Sequence, residues 1–282
     1  MTLPASKRCF QALNTLHTLI YFAPEAEQEY TAAGLRPGRM GYFASRSAPL
    51  GAVGPGPVAA MFFNFKPSLV ARHIPRAWTL ATPEQVLAAR QRAVDRAMTR
   101  LIGAEALADP ATAEAAELAL EAAAGCSFEG RPLAAAHAAL PVPETAHLAL
   151  WHAATVLREH RGDGHLAALM AAELEGIEAL VTHTATGKGF NAEFARVSRD
   201  WSQEEWDAAV ERLQARGLLD GDGALTEAGT ELRRDIERLT ARLALAPYQH
   251  LGEKKLERLV ELTAPLAAAA LANGAVPSGP FA

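Results

Sequence analysis

The densest chemistry in this sequence lies between Arg158 and His165. Eight consecutive residues, Arg158-Glu159-His160-Arg161-Gly162-Asp163-Gly164-His165, hold two arginines, two histidines and two carboxylates around a pair of glycines. Arginine clamps carboxylates or phosphates through paired N–H donors, and histidine moves protons near neutral pH. The cluster predicts a polar pocket for an anionic or oxygen-rich small molecule, with Arg158 or Arg161 as the clamp. His160 and His165, with Glu159 and Asp163, are the acid–base candidates. Trp151 supplies an aromatic wall one helical stretch earlier. The same residues also fit a capping network. In that reading Asp163 caps a helix starting near Gly164, Glu159 pairs with Arg158 or Arg161, and His160 meets the preceding helix's carbonyls. A metal arrangement of His160, His165 and Asp163 or Glu159 lacks a diagnostic spacing. Two histidines across a glycine turn are not the helical pair of a zinc protease motif. No metal is assigned and no cofactor is identified.

A second candidate group lies upstream. Gly41 to Pro57 reads as a loop rich in glycine and proline, introduced by Tyr42, Phe43 and Arg46. Phe62, Asn64 and Phe65 follow, and then Trp78. Aromatic rings beside Arg46 and Asn64 would wall an apolar pocket with two polar handles. The competing reading is an aromatic core cluster, with Asn64 capping the helix at Pro67. The glycines of this stretch do not form a phosphate loop, because no Lys-Ser or Lys-Thr follows them.

The elements that must position these groups are almost all helices. Apolar residues recur at helical spacing from Phe10 to Gly34, from Pro83 to Ile102, from Pro110 to Gly125 and from Thr145 to Arg161. Gly162-Asp163-Gly164 reads as a break before a further helix from His165 to Thr186. Ser202 to Ala215, Glu227 to Leu245 and Leu251 to Asn273 complete the pattern. The Pro-bounded stretch from Cys126 to Pro143 marks the main boundary. It divides an N-terminal helical domain, 1–140, from a C-terminal domain, 141–282, the two packed together.

Composition agrees with this class. Of 282 residues, 62 are alanine, half are hydrophobic and 6% are aromatic, which suits a helical core of small side chains. Twenty-seven basic against 32 acidic residues give a net charge of -5, without the basic excess usual in nucleic-acid binders. Cys9 and Cys126 make no metal or disulfide spacing. There is no signal-peptide core and no apolar run long enough for a membrane span, so the expected compartment is the cytoplasm.

Arg216-Gly217-Leu218-Leu219, Asp220 to Gly223 and Leu225-Thr226-Glu227-Ala228-Gly229 resemble the winged-helix end of MarR-type regulators. The whole chain resembles an actinobacterial helix-turn-helix family labelled SalK-like. That likeness rests on Gly41-Tyr42-Phe43-Ala44, Arg46, Ala48-Pro49-Leu50-Gly51, Phe63-Asn64-Phe65, Pro67, Trp78, the Arg158–His165 run, Trp201 and Trp206. It implies an all-α protein with a small two-stranded wing near Leu218–Thr226. It also implies a regulator-type scaffold. Local charge opposes DNA contact, however. Ser202 to Arg216, the recognition-helix position, carries Glu204, Glu205, Asp207 and Glu211 against Arg212 and Arg216, and the wing is acidic.

Three functions are therefore weighed. The first is a small-molecule-binding protein on this scaffold. The second is a ligand-responsive transcriptional regulator. The third is an enzyme acting on a natural-product-like substrate through His160 or His165. A homodimer could form through the apolar stripe Leu256, Leu259, Val260, Leu262 and Leu266.

Overall fold

The structure is a computed structural model and describes residues 4–277. Its helices follow in chain order. They are α1 (Ala5–Thr18), α2 (Pro24–Ala32), α3 (Arg39–Ser47), α4 (Pro55–Phe62), α5 (Pro67–His73) and α6 (Pro83–Ile102). Next come α7 (Ala104–Ala108), α8 (Pro110–Ala124), α9 (Pro132–Ala138), α10 (Ala146–Ala171) and α11 (Gly176–Thr184). The chain ends with α12 (Ala192–Ser198), α13 (Gln203–Ala215), α14 (Glu227–Leu243), α15 (Ala246–Leu251) and α16 (Glu253–Ala272). Short 3-10 turns at Leu19–Tyr21, Ala48–Leu50 and Arg76–Thr79 join some of them. Pro24, Pro55, Pro83, Pro110 and Pro132 each open a helix, where the missing N–H costs nothing. At α6 the Thr82 side chain and Gln85 close a reciprocal capping box.

The chain forms two compact units that alternate along the sequence. The first comprises residues 4–53, 74–163 and 244–277, and the second residues 54–73 and 164–243. The boundary after Asp163 falls inside α10, so this helix contributes its first part to one unit and its last part to the other.

In the first unit α1 packs on α16, α16 packs on α8, and α2 packs on α6. The core joins Cys9, Leu13 and Leu16 to Ala115, Ala116, Ala119, Ala122 and Ala123 of α8 and to Leu150, Ala153, Ala154 and Leu157 of α10. Alanine at these positions lets helix backbones approach closely while still excluding water. Leu256, Leu259, Val260 and Leu266 lie in this core and Leu262 packs against it. The stripe considered for a dimer is thus occupied within its own unit. The second unit gathers Leu169, Ile177, Leu180, Val181, Trp206, Leu213, Leu218, Leu219 and Ile236.

Three local expectations need correction. The expected two-stranded wing near Leu218–Thr226 is absent. No strand occurs among the described residues, and the segment holds only one isolated antiparallel bridge, Leu219 to Leu225. Helix caps leave no room for more. Gly217, at φ 68°, ends α13, and Leu218 N–H donates back to the Leu213 carbonyl. On the other side the Thr226 hydroxyl accepts from Gly229 N–H at the start of α14. Between them Asp220 Oδ1 accepts from the N–H groups of Asp222 and Ala224, which makes a tight side-chain-closed turn. The all-α class stands without the wing.

The second correction concerns Gly162-Asp163-Gly164, which does not break a helix. The turns run on through it to Ala171, and the next helix starts separately behind Glu175. The third concerns the loop expected from Gly41. Arg39–Ser47 is helical, with Met40, Phe43, Ala44, Ser45 and Ser47 buried. Gly41 lies against the Tyr30 ring, where a Cβ would come within 2.6 Å of a ring carbon.

Candidate functional site

In the first unit, six helices and one 3-10 turn surround a polar cavity. Its volume is about 10 Å³, room for about one water. Trp151, Thr155 and Glu159 recur every four residues on α10 and so share one face of it. Arg46 on α3 meets Glu159 in a parallel fork, Nε to Oε1 and Nη2 to Oε2, both at 2.8 Å. Arg158 Nη1 donates to the same Oε1 at 2.9 Å. The Glu159 side chain is fully buried. Burial alone would push its carboxyl upward, but Arg158 and Arg46 beside it hold it well below the ordinary range.

The neutral groups form an oriented chain. The Thr155 hydroxyl donates to the Trp151 carbonyl, so its oxygen accepts from His17 Nδ1–H at 2.9 Å. That leaves His17 Nε2 to accept from the Tyr21 hydroxyl at 2.8 Å. His17 also stacks on Trp151, with ring centroids 5.6 Å apart. On α9, His137 Nδ1 donates to the Leu133 carbonyl at 2.8 Å, which fixes Nε2 as the bare nitrogen facing Arg90 Nη1 at 3.2 Å. Burial, then Arg90, lowers His137 to about 3. Burial, then Arg158, also holds His17 well below its usual value. Both rings are neutral at pH 7.

Arg90, on α6, differs from its helical neighbours. Arg92 and Arg96 pair with Glu29, and Arg100 pairs with Glu25. Arg90 points the other way and is buried among Val86, Ala89, Ala93 and Val94. It donates to the Ser45 carbonyl at 2.8 Å and lies 5.3 Å from the Trp151 ring centroid. Among the described residues its Nε–H has no acceptor and no carboxylate forms an ion pair with it.

The structure distributes the sequence-selected residues unevenly. Arg46, Glu159 and Trp151 line the cavity. Tyr42 reaches Arg46 and stacks edge-on with Tyr21, and Arg158 backs Glu159. Phe43 is fully buried core. Trp78 anchors a loop by donating to the Val53 carbonyl at 2.9 Å. Arg161 lies over the Phe10 ring.

His160 and Asp163 hold α9. Arg131, just before that helix, donates to the His160 carbonyl, and Asp163 Oδ2 accepts from Ala134 N–H at 3.0 Å. Both His160 ring nitrogens are buried without a hydrogen-bond partner. Burial, then Arg131, lowers this ring to about 4. Burial raises Asp163 to about 6.

The remaining candidates belong to the second unit. His165 Nδ1 bonds to Thr240 Oγ1 at 2.9 Å, the Asn64 carbonyl accepts from Trp201 Nε1, and Phe62 packs edge-on with Phe65. Sequence reasoning missed His17, Tyr21, Tyr30, Ser45, Arg90 and His137. One signal was available: Arg90 is a lone charge on the apolar stripe Val86, Ala89, Ala93, Val94 and Ala97 of α6.

The second unit also shows what surrounds α13. Arg212 pairs with Glu178 at 2.9 Å and with Glu175 at 3.1 Å. Arg216 donates to the carbonyls of Glu173 and Ala172 at the end of α10. Glu204, Asp207 and Glu211 remain exposed. No helix among the described residues is long and apolar enough to cross a membrane. A family model described as a helix-turn-helix family matches residues 6–277. No curated protein and no solved structure matches the chain.

Proposed function

Because the chain belongs to the helix-turn-helix family, we propose from that premise that it is a ligand-binding member, and that its binding site is the polar cavity of the first unit. One observation carries this reading. A set of buried polar side chains from separate helices converges on one empty space, each held in a fixed orientation by a neighbour. Convergent, preoriented polar groups with aromatic walls are the usual make-up of a small-molecule site. Arg46, Tyr42, Trp151 and Arg158 are the sequence-selected residues this reading retains. In it, His160 and Asp163 serve by positioning α9, which presents His137.

The test is native mass spectrometry of gently purified protein. A retained small molecule, lost on denaturation, is the expected result. Protein that carries nothing, and whose melting temperature no compound in a broad metabolite screen moves, would sink the reading.

The family match favours a second reading, a regulator that responds to this ligand by binding DNA. The charges around α13 weigh against it. Arg212 on it and Arg216 just after it are both engaged within the unit, and the exposed side chains left along it include three carboxylates that phosphates would repel.

A further inference from the structure

A second group of unmatched charges stands in the second unit, at the end of α11. His183 lies in the last turn of that helix and is exposed. Its Nδ1 faces Arg233 Nη2 of α14 at 3.4 Å. A guanidinium only donates, so Nδ1 is the accepting nitrogen and Nε2 carries the proton. Among the described residues this Nε2–H has no hydrogen-bond acceptor. Gly189 lies beside it, at φ 75°, where a Cβ would stand 2.9 Å from Nε2. Glycine at this position keeps that edge of the ring open.

Arg233 is 7% exposed, and its Nε has no hydrogen-bond partner. The carboxylate nearest to pairing with it, Glu237, stands 3.9 Å away, one turn along α14. Partial burial, then Arg233, lowers the His183 ring below its ordinary range. Arg199 and Lys188 act in the same sense, and Glu237 opposes them. Three cations and one carboxylate thus surround one exposed imidazole, an excess of two positive charges. Arg199 is held between the Phe65 and Phe190 rings, 5.1 and 5.0 Å from their centroids. Asp200, next to it in the chain, is taken up by Arg72. The last carbonyls of α11 accept from the N–H groups of Ala185, Thr186 and Gly187, which blunts the negative end of the helix dipole.

We propose that His183, Lys188, Arg199 and Arg233 form a binding site for a phosphate group, free or carried by a small molecule, with His183 Nε2–H as its central donor. Two excess positive charges match a phosphate dianion and exceed what a carboxylate neutralises. His183 and Lys188 are exposed, so the anion reaches them from solvent and needs no enclosed cavity. Lys188 stands between Gly187, at φ 68°, and Gly189, whose approach to His183 brings the loop back onto α11. Arg233 is a positioning residue: from behind the ring it fixes the tautomer that turns Nε2–H into a donor. The three carboxylates exposed on α13 favour a lone phosphate group over the extended polyanion of duplex DNA. The site lies wholly in the second unit, so it does not depend on the reading of the cavity.

The experiment titrates inorganic phosphate into the full chain at constant ionic strength and slightly alkaline pH, where phosphate is a dianion. Calorimetry reads binding, and NMR reads the ring-carbon signals of the histidines. Phosphate should bind saturably and move the His183 signal while those of His17 and His137 stay in place. Sodium acetate should bind much more weakly. His183→Ala and Lys188→Ala should each weaken phosphate binding about tenfold, the worth of one charge-assisted hydrogen bond. Lys254→Ala, which removes an exposed charge of the first unit, should leave binding unchanged. Circular dichroism checks that each variant folds, and if one does not, the His183 signal of the unaltered chain still decides. Absence of saturable phosphate binding would overturn the proposal, as would undiminished binding by both His183→Ala and Lys188→Ala. Acetate binding as tightly as phosphate would overturn the phosphate class. A short DNA duplex that displaces phosphate, and no longer binds Lys188→Ala, would overturn the small-molecule source in favour of a nucleic-acid backbone.

Discussion

Arg46 and Glu159 lie 113 residues apart in sequence and meet through two parallel hydrogen bonds of 2.8 Å. The pair ties α3 to α10 and fixes one wall of the cavity. Because Glu159 is fully buried, its value lies in not being broken. Replacing Glu159 with Gln leaves Arg46 and Arg158 without their shared carboxylate. The expected cost is about 3–5 kcal/mol in urea unfolding. The double variant Arg46→Met with Glu159→Leu should lose less than the two single changes together. A cost below about 1 kcal/mol for Glu159→Gln would contradict the buried pairing.

Stability should fall on acidification from pH 7 to pH 5. His17, His137 and His160 are held neutral, with His137 at about 3 and His160 at about 4. Lowered folded values mean that their contribution is complete above the unfolded value of about 6.5. It is lost as pH falls toward 4 and 3. Asp163, raised to about 6, acts in the opposite sense. Its contribution is full below about 4 and is lost as pH rises through 6. Three histidines outweigh one aspartate, so the urea midpoint should drop between pH 7 and pH 5. Asp163→Asn removes the opposing group and should steepen that drop. A midpoint flat over this range would show that the histidines are not buried neutral.

Two glycines should respond oppositely to alanine. At Gly229 an added Cβ would stand 2.1 Å from the Leu218 carbonyl oxygen, so the backbone of the second unit must shift. A loss of about 1–3 kcal/mol is expected. Gly162 lies inside α10, and its nearest obstacle is Glu159 Oε2 at 3.6 Å. Gly162→Ala should raise stability by about 0.5–1 kcal/mol through helix propensity alone. Equal effects of the two changes in thermal melts would refute this packing.

The acidic face of α13 predicts a charge-reversal outcome. The unaltered protein should give no salt-dependent retardation of duplex DNA in a gel. Glu204→Lys, Asp207→Lys and Glu211→Lys combined should create weak binding that disappears as salt rises. A steep salt slope in the unaltered protein would instead favour the regulator reading.

The sequence revealed odd residues better than distant partnerships. Arg46 and Trp151 stand out because large polar or aromatic groups interrupt small-residue surroundings, Glu159 because it lies in a run of polar groups, and all three line the cavity. Arg90 stands out as a charge on an apolar stripe, but its contact with His137, 47 residues away, does not. Single-chain spacing carries no trace of such a contact. Gly162 and Gly164 were misleading for a related reason. Each glycine disfavours a helix by about 1 kcal/mol. Residues of α10 buried on either side of them outweigh that cost, and Asp163 serves α9 instead of ending its own helix. The wing failed at short range. Its leucines and glycines suit a hairpin, but helix caps at Gly217 and Thr226 leave one bridging pair between them.

The alanines of the first core carry a practical consequence. Truncation to alanine is the customary way to locate residues that matter, and it is silent where alanine already stands. Ala115, Ala116, Ala119, Ala153 and Ala154 would escape such a scan entirely. Atoms added at these positions, as in Ala119→Val or Ala153→Leu, have nowhere to go between close helices. The tolerance map of this protein is therefore inverted: enlargement, not deletion, traces the interior of its first unit.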